Sequence, residues 1–321
     1  MIQEMDLMEI FYWFHRHPEL SYEEYDTTAQ IKKLLKAADV KILPIPMETG
    51  LIAEVKGEKD GPVQALRCDI DALPITELTD LPYASECPGK MHACGHDFHI
   101  TAGIGTAIWL QEHRDELCGT VRFFFQPGEE SSLGARKVLE TTALDSVTRV
   151  WGFHSDPTNL VNAIGIREGA VAAAVDRFVI TITGVGCHDD GVDPIPAAAA
   201  MVQAFQTIVT RNINPFHPTL ISVTRLEAGN TWNVIPQTAQ LEGTVRTMDR
   251  QDRCLFEKRL KAIAERTASA YGASAEVEWI PGPPAVCNDA EMAAFAKETA
   301  EAEGFQTVPE EQSLGGDDFS F

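Results

Sequence analysis

Apolar and polar positions recur along this chain with two periods, and the changes between them predict its elements. Over residues 3–16 the side chains of Leu7, Ile10, Phe11 and Phe14 share one helical face, and over 25–38 those of Ile31, Leu34 and Leu35 do the same. His17-Pro18-Glu19 breaks between these two helices. Apolar runs at 51–55 and 63–68 predict strands, followed by a helix over about 99–113. A strand at 121–125, a helix near 132–141 and a strand at 147–153 continue the alternation. Strands alternating with helices need crossover connections, so the expectation is a largely parallel sheet with helices on its faces.

From about Val175 the pattern changes. Strands at 177–183, 220–226, 239–247 and 275–279 enclose helices at 194–211 and 252–271. The order β-α-β-β-α-β is that of a small two-layer, ferredoxin-like α+β domain. Pro281-Gly282-Pro283-Pro284 reads as its exit, and a helix at about 290–303 as a return to the first domain. The expected organisation is α/β: residues 1–173 as a first domain, 174–284 as an insertion, and 285–321 returning to the first.

Composition narrows the classes. The 44% hydrophobic content is ordinary for a globular chain, and no apolar stretch approaches the ~18 residues of a membrane span. The acidic start, Met1 to Asp6, lacks the features of a signal peptide, so a cytoplasmic location is expected. Asp and Glu number 48 against 26 Lys and Arg, a formal charge of −22. Such a surface repels phosphate backbones and anionic lipid, so neither nucleic acid nor membrane is an expected partner. Seven cysteines, scattered from Cys68 to Cys287, do not form a disulfide pattern and read mostly as buried thiols.

Three predicted strands end in metal-competent residues. They run into Asp69-Ile70-Asp71, into Gln126-Pro127-Gly128-Glu129-Glu130, and into His154. Ligands of open α/β sheets bind outside the carboxyl ends of parallel strands, which would gather these groups along one edge. A fourth element is Met91-His92-Ala93-Cys94-Gly95-His96-Asp97-Phe98-His99. Cys94 and His96 are two apart and would diverge on a helix, whereas a turn at Gly95 lets both reach one point. Imidazole, thiolate and carboxylate together suit zinc or another first-row divalent ion. Taken singly, a cysteine is usually a buried thiol, a histidine a satisfied polar residue and two glutamates a solvated face. Spacing alone leaves both readings open. His92 and His99 read as structural, as do His15, His17, His113 and His217.

The motifs carry a resemblance. Arg67-Cys68-Asp69-Ile70-Asp71-Ala72-Leu73-Pro74, Met91 to Asp97, and Phe125-Gln126-Pro127-Gly128-Glu129-Glu130 are similar to those of the zinc-dependent aminoacylase and hippurate hydrolase family. That family includes auxin-conjugate hydrolases and diaminopimelate deacetylases. Gly152-Phe153-His154, Asn233-Val234-Ile235-Pro236, Gly243 to Thr247 and Asp317-Asp318-Phe319-Ser320 extend the match over nearly the whole chain.

The resemblance implies a zinc-exopeptidase-like fold with a lid domain, acting on small N-acyl amino acids or dipeptide-like amides. It implies that Cys94 bridges two divalent transition metals (Zn, Mn, Ni or Co), with His96, Glu130 and His154 as further ligands. Glu129 would be the general base, and Asp69 and Asp71 would orient ligands. His188 would reach an oxyanion, often across a homodimer formed through the lid, while Asn233 and Arg246 would hold the substrate carboxylate. Three departures stand out. Relatives carry a metal-binding histidine beyond the Asp-Phe-Ser motif, and no histidine follows His217 here. Gly128 stands where alanine is usual, and Asp189-Asp190 follow His188 where small residues are common. Two other readings are a catalytically inactive relative that binds metal and dimerises, and a hydrolase using Cys94 as a thiol nucleophile.

Overall fold

A computed structural model describes residues 6–188 and 190–321. The start of the first predicted helix and Asp189 lie outside the described residues. The chain divides into two compact units, residues 1–158 with Phe321 and residues 159–320.

The first unit contains, in chain order, α1 (Leu7–Arg16), α2 (Tyr25–Ala37), β1 (Lys41–Ile42), β2 (Leu51–Lys56) and β3 (Lys59–Asp69). α3 (His96–Glu112), β4 (Cys118–Gln126), α4 (Gly134–Leu139) and β5 (Val147–Gly152) complete it. Asp6 caps α1 by accepting the Met8 N–H at 2.9 Å. The five strands form one mixed sheet in the order β1-β2-β4-β3-β5. β3 runs parallel to β4 and to β5, so the strands that end in Asp69, Gln126 and Gly152 point the same way. At the other edge β2 is antiparallel to β4 and to β1. No helix joins β1 to β2, and without a crossover the chain returns antiparallel.

Side chains on the central strands alternate between two cores. Leu51, Ala53, Val55, Phe123 and Phe125 pack with α1, α2 and α3, while Ile52 and Phe124 face Val138 of α4 on the other side. Burial on both faces explains the unbroken Phe123-Phe124-Phe125 run. Helix α3 begins at His96, three residues before its expected start, because its polar first turn is buried in the site.

The second unit opens with β6 (Ala163–Ile166), β7 (Gly169–Ala172) and β8 (Ala174–Thr183). α5 (Pro194–Thr207) follows, then a π-helical turn over Ile208–Asn212, β9 (Thr219–Ala228), β10 (Thr238–Thr247), α6 (Arg250–Ala270) and β11 (Ser274–Pro281). β12 (Val286–Asn288), α7 (Ala290–Ala302), β13 (Gln306–Pro309) and a 3-10 turn at Asp318–Ser320 end the chain. Strands β8 to β11 form an antiparallel sheet in the order β11-β8-β10-β9, which is the ferredoxin-like arrangement. Phe178, Ile180, Ile182, Leu241 and Val245 pack one face of it against Met201 and Phe205 of α5 and Phe256 and Leu260 of α6. Gly243 makes room for this packing, since a Cβ there would lie 2.4 Å from the Phe178 ring. The buried Asp176 carboxylate holds Arg253 through two bonds of 2.6 and 2.8 Å and accepts the Gly282 N–H at 3.2 Å. β6 pairs with β13 and β7 with β12. These short strands escape a sequence reading because each finds its partner more than a hundred positions away. Among the described residues no helix is long and apolar enough to cross a membrane.

Candidate metal centre

The carboxyl end of the sheet and the start of α3 bring the expected donors together. Gly95 adopts a left-handed φ of +83° and ends the turn, so Cys94 precedes the helix while His96 opens it. The space where a Gly95 Cβ would sit is taken by Ser155 Oγ, 2.2 Å from the ideal position. One donor atom from each of Cys94, His96 and His154 lies within 4.8 Å of the others, and so do donor atoms of His96, Glu129 and Glu130. His96 therefore stands between the Cys94–His154 pair and the two glutamates.

Hydrogen bonds set which atoms face inward. The Nδ1–H of His96 donates to the Asp71 carbonyl at 2.8 Å, which leaves Nε2 as the available donor atom. That Nε2 and Oε1 of Glu130 are buried and make no hydrogen bond among the described residues, Asp69 Oδ2 lying 3.4 Å from the Nε2. His154 likewise donates Nδ1–H to the Ser155 carbonyl at 2.8 Å and directs Nε2 to Cys94 Sγ at 3.4 Å. Two buried polar atoms without hydrogen bonds beside a cysteine–histidine pair fit a divalent transition metal, because buried polar atoms otherwise find such bonds.

A third group, Asp69, His96 and His99, also lies within 4.8 Å, but most of its atoms are engaged. His99 donates Nδ1–H to Asp69 Oδ1 at 2.5 Å and accepts the Ser155 N–H on Nε2 at 2.9 Å. Asp69 also receives Arg67 Nη1 at 2.5 Å, and Arg67 Nε donates to Gln126 at 3.0 Å. The chain Arg67–Asp69–His99–Ser155 thus holds the peptide that follows His154. Asp71 holds the other side. Its carboxylate accepts the backbone N–H of Glu129 at 3.1 Å and of Glu130 at 3.0 Å, and the Ser21 hydroxyl at 2.6 Å.

The electrostatics follow from these contacts. His154 hydrogen-bonded to Cys94 lowers the thiol pKa, and the same bond pushes the imidazole up to about 9. Burial disfavours a charged His96, but Asp69 and Asp71 outweigh it and raise that imidazole to about 12. Burial raises Glu130. Burial also opposes ionisation of Asp69, yet the Arg67 guanidinium holds its carboxyl far below the usual range.

Four other histidines are held by hydrogen bonds within the fold. His17 and His113 donate to carbonyls one turn earlier, His217 pairs with Asp252 at 2.5 Å, and His15 bridges Asp97 and Glu77. His92 is buried with neither ring nitrogen paired among the described residues, and burial lowers it to about 4.

His188, Asn233 and Arg246 belong to the second unit. His188 is exposed, in the loop closed by a bridge between Val185 and Val192. Ile235 N–H donates to the Cys187 carbonyl at 3.0 Å, which ties the His188 loop to the loop bearing the exposed Asn233. Arg246 lies half-buried on β10 and donates Nη1 to the Leu314 carbonyl at 3.0 Å.

Residues 65–321 match the family described as peptidase family M20/M25/M40. N-acetylcysteine deacetylase of Bacillus subtilis (strain 168) is 49% identical over 311 residues, 95% of this chain and 82% of that protein. IAA-amino acid hydrolase ILR1-like 4 of Arabidopsis thaliana is 35% identical over 317 residues, 96% and 72% of the two chains. A Bacillus subtilis crystal structure described as a dinuclear metal-binding peptidase from the M20 family matches with a TM-score of 0.89 and 46% identity, covering 98% of this chain and 84% of that one. The protein is a metal-dependent amidohydrolase with the α/β zinc-exopeptidase-like fold and a ferredoxin-like lid domain. It belongs to peptidase family M20/M25/M40.

Proposed function

We propose that this enzyme cleaves the amide bond of N-acyl amino acids or similar small amides that carry a free carboxylate. The observation that carries the reading is the pair of buried atoms without a hydrogen bond among the described residues, His96 Nε2 and Glu130 Oε1, beside the Cys94–His154 pair. Cys94, His96, Glu130 and His154 would hold a divalent transition metal of the zinc, manganese, nickel or cobalt type, two ions if the thiolate bridges. Bound there, the metal supplies Lewis-acid activation of water and of the amide carbonyl. Glu129 would take the proton of the attacking water on a carboxylate oxygen and return it to the departing amine. Asp71 fixes the backbone of both glutamates, so one can face the donors while its neighbour is kept for proton transfer.

In this reading residues 1–173 and 285–321 form the catalytic domain, and 174–284 a lid that also pairs two chains in a cytoplasmic homodimer. His188 would donate to the developing oxyanion, and Asn233 and Arg246 would hold the substrate carboxylate, for which a guanidinium fork is suited. The substrates named for the relatives, an N-acetylcysteine and an IAA-amino acid, support a small acylated amino acid.

The Cys94–His154 pair is also the arrangement of a thiol nucleophile, and chelation separates the two readings. Turnover of a panel of N-acyl amino acids should vanish with a chelator and return with added zinc, manganese, nickel or cobalt. Bound metal should fall in Cys94→Ser and His154→Ala, while Glu129→Gln should keep metal and lose about 10²–10⁴-fold in kcat. Turnover that survives chelation, or equal metal content in all three variants and the parent, would end the proposal.

A further inference from the structure

The connection between α1 and α2 carries no recognisable chemistry in the sequence, yet it touches the glutamate turn repeatedly. Glu24 is fully buried, and its Oε1 accepts the Gly128 N–H at 2.9 Å. The ring of Tyr22 fills the place where a Gly128 Cβ would sit, 2.4 Å from the ideal position. Its hydroxyl bonds Ser131 Oγ at 2.7 Å, and Ser131 in turn donates to the Gly128 carbonyl at 2.7 Å. Tyr22 is held in a left-handed conformation, φ +65°, which a tyrosine rarely adopts without such contacts.

Glu24 has an ordinary explanation available, as the N-cap of α2, and the structure removes it. The Glu24 side chain makes no cap bond. The free N–H groups of that helix end are taken by Glu19, which accepts from Asp26 at 3.2 Å and Thr27 at 2.7 Å. A carboxyl group buried without a charged partner is costly, and here, beside the Thr49 side chain, it accepts from a backbone amide one residue from Glu129.

We infer that Glu24 is a positioning residue, whose carboxyl group sets the Gly128 peptide and through it aims Glu129 and Glu130. The inference rests on the reading of those two glutamates given above. Glu24→Gln preserves an acceptor for the Gly128 N–H, whereas Glu24→Ala removes it and Glu24→Asp withdraws it by one methylene.

The test compares these three variants with the parent chain in two measurements, neither of which needs substrate. Hydrogen exchange of the segment 126–133 in metal-free protein should quicken about fivefold or more in Glu24→Ala and return to the parent rate in Glu24→Gln. Affinity for cobalt(II), followed by its absorption spectrum, should drop about tenfold or more in Glu24→Ala and stay within about twofold in Glu24→Gln. A folded Glu24→Ala chain with parental exchange and cobalt affinity overturns the assignment. So does a Glu24→Gln chain as impaired as Glu24→Ala, which would mark a role of the carboxyl charge rather than of the acceptor. If Glu24→Ala does not fold, Glu24→Asp takes its place, and unchanged exchange in that variant is equally fatal. A parent chain that binds no cobalt refutes the proposed function instead, and the exchange experiment still judges Glu24.

Discussion

Asp69→Asn tests the buried network behind His154. The carboxylate is fully buried and accepts Arg67 Nη1 and His99 Nδ1, both at 2.5 Å. Asparagine has the same shape but one acceptor oxygen and one donor NH2. If the oxygen turns to Arg67, the NH2 meets the His99 N–H. His99 cannot relieve this by moving its proton, because its Nε2 would then oppose the Ser155 N–H at 2.9 Å. If the oxygen turns to His99, the NH2 meets the guanidinium, whose bond from Nε to Gln126 is untouched. Both arrangements set a donor against a donor inside the buried network, and both remove the negative charge that faces Arg67. Breaking a buried ion pair from one side costs about 3–5 kcal/mol. The folded pKa of Asp69 is depressed, so its contribution is present above the unfolded value near 4 and is lost as pH falls through the folded one. Urea unfolding of metal-free protein at pH 7 should therefore show a loss of about 3–5 kcal/mol at an unchanged slope. At pH 3 the difference should be smaller. A loss below about 1 kcal/mol at pH 7 would mean that Asp69 is not the anchor its contacts describe.

Metal affinity should rise with pH, since protons on His154 and His96, raised to about 9 and about 12, must leave before those nitrogens can bind an ion. The gain is about tenfold per pH unit for each proton released, read by calorimetry in buffers of different ionisation enthalpy; an affinity flat from pH 6 to 8 would contradict the contacts of both rings. Gly128→Ala should destabilise by about 2 kcal/mol or more, because φ is +68° and the Tyr22 ring occupies the Cβ position. Tyr22→Ala should recover the steric part, and strictly additive effects of the two substitutions in a double-mutant cycle would show that these positions do not couple.

Much of this protein was legible in the chain. Period-two and helical patterns located every strand that buries a face, from Leu51–Lys56 to Ser274–Pro281, because burial is written in side-chain polarity. The β-α-β-β-α-β run predicted the ferredoxin-like sheet, since its order is local in sequence. Strand-end positions located Asp69, Glu129, Glu130 and His154, and the turn at Gly95 explained how Cys94 and His96 share a point. Other features were decided only in three dimensions. The short strands β1, β6, β7, β12 and β13 exist through distant partners or brief edge pairing, and two to four residues carry too little pattern to announce themselves. His99, which reads as one more structural histidine, proved to hold the peptide after His154. Ser21, Tyr22 and Glu24 lie more than a hundred residues from the glutamate turn that Tyr22 and Glu24 contact directly and Ser21 reaches through Asp71. A side chain's polarity records whether it is buried, but its hydrogen-bond partner is set by how the chain closes on itself, and no local pattern carries that information.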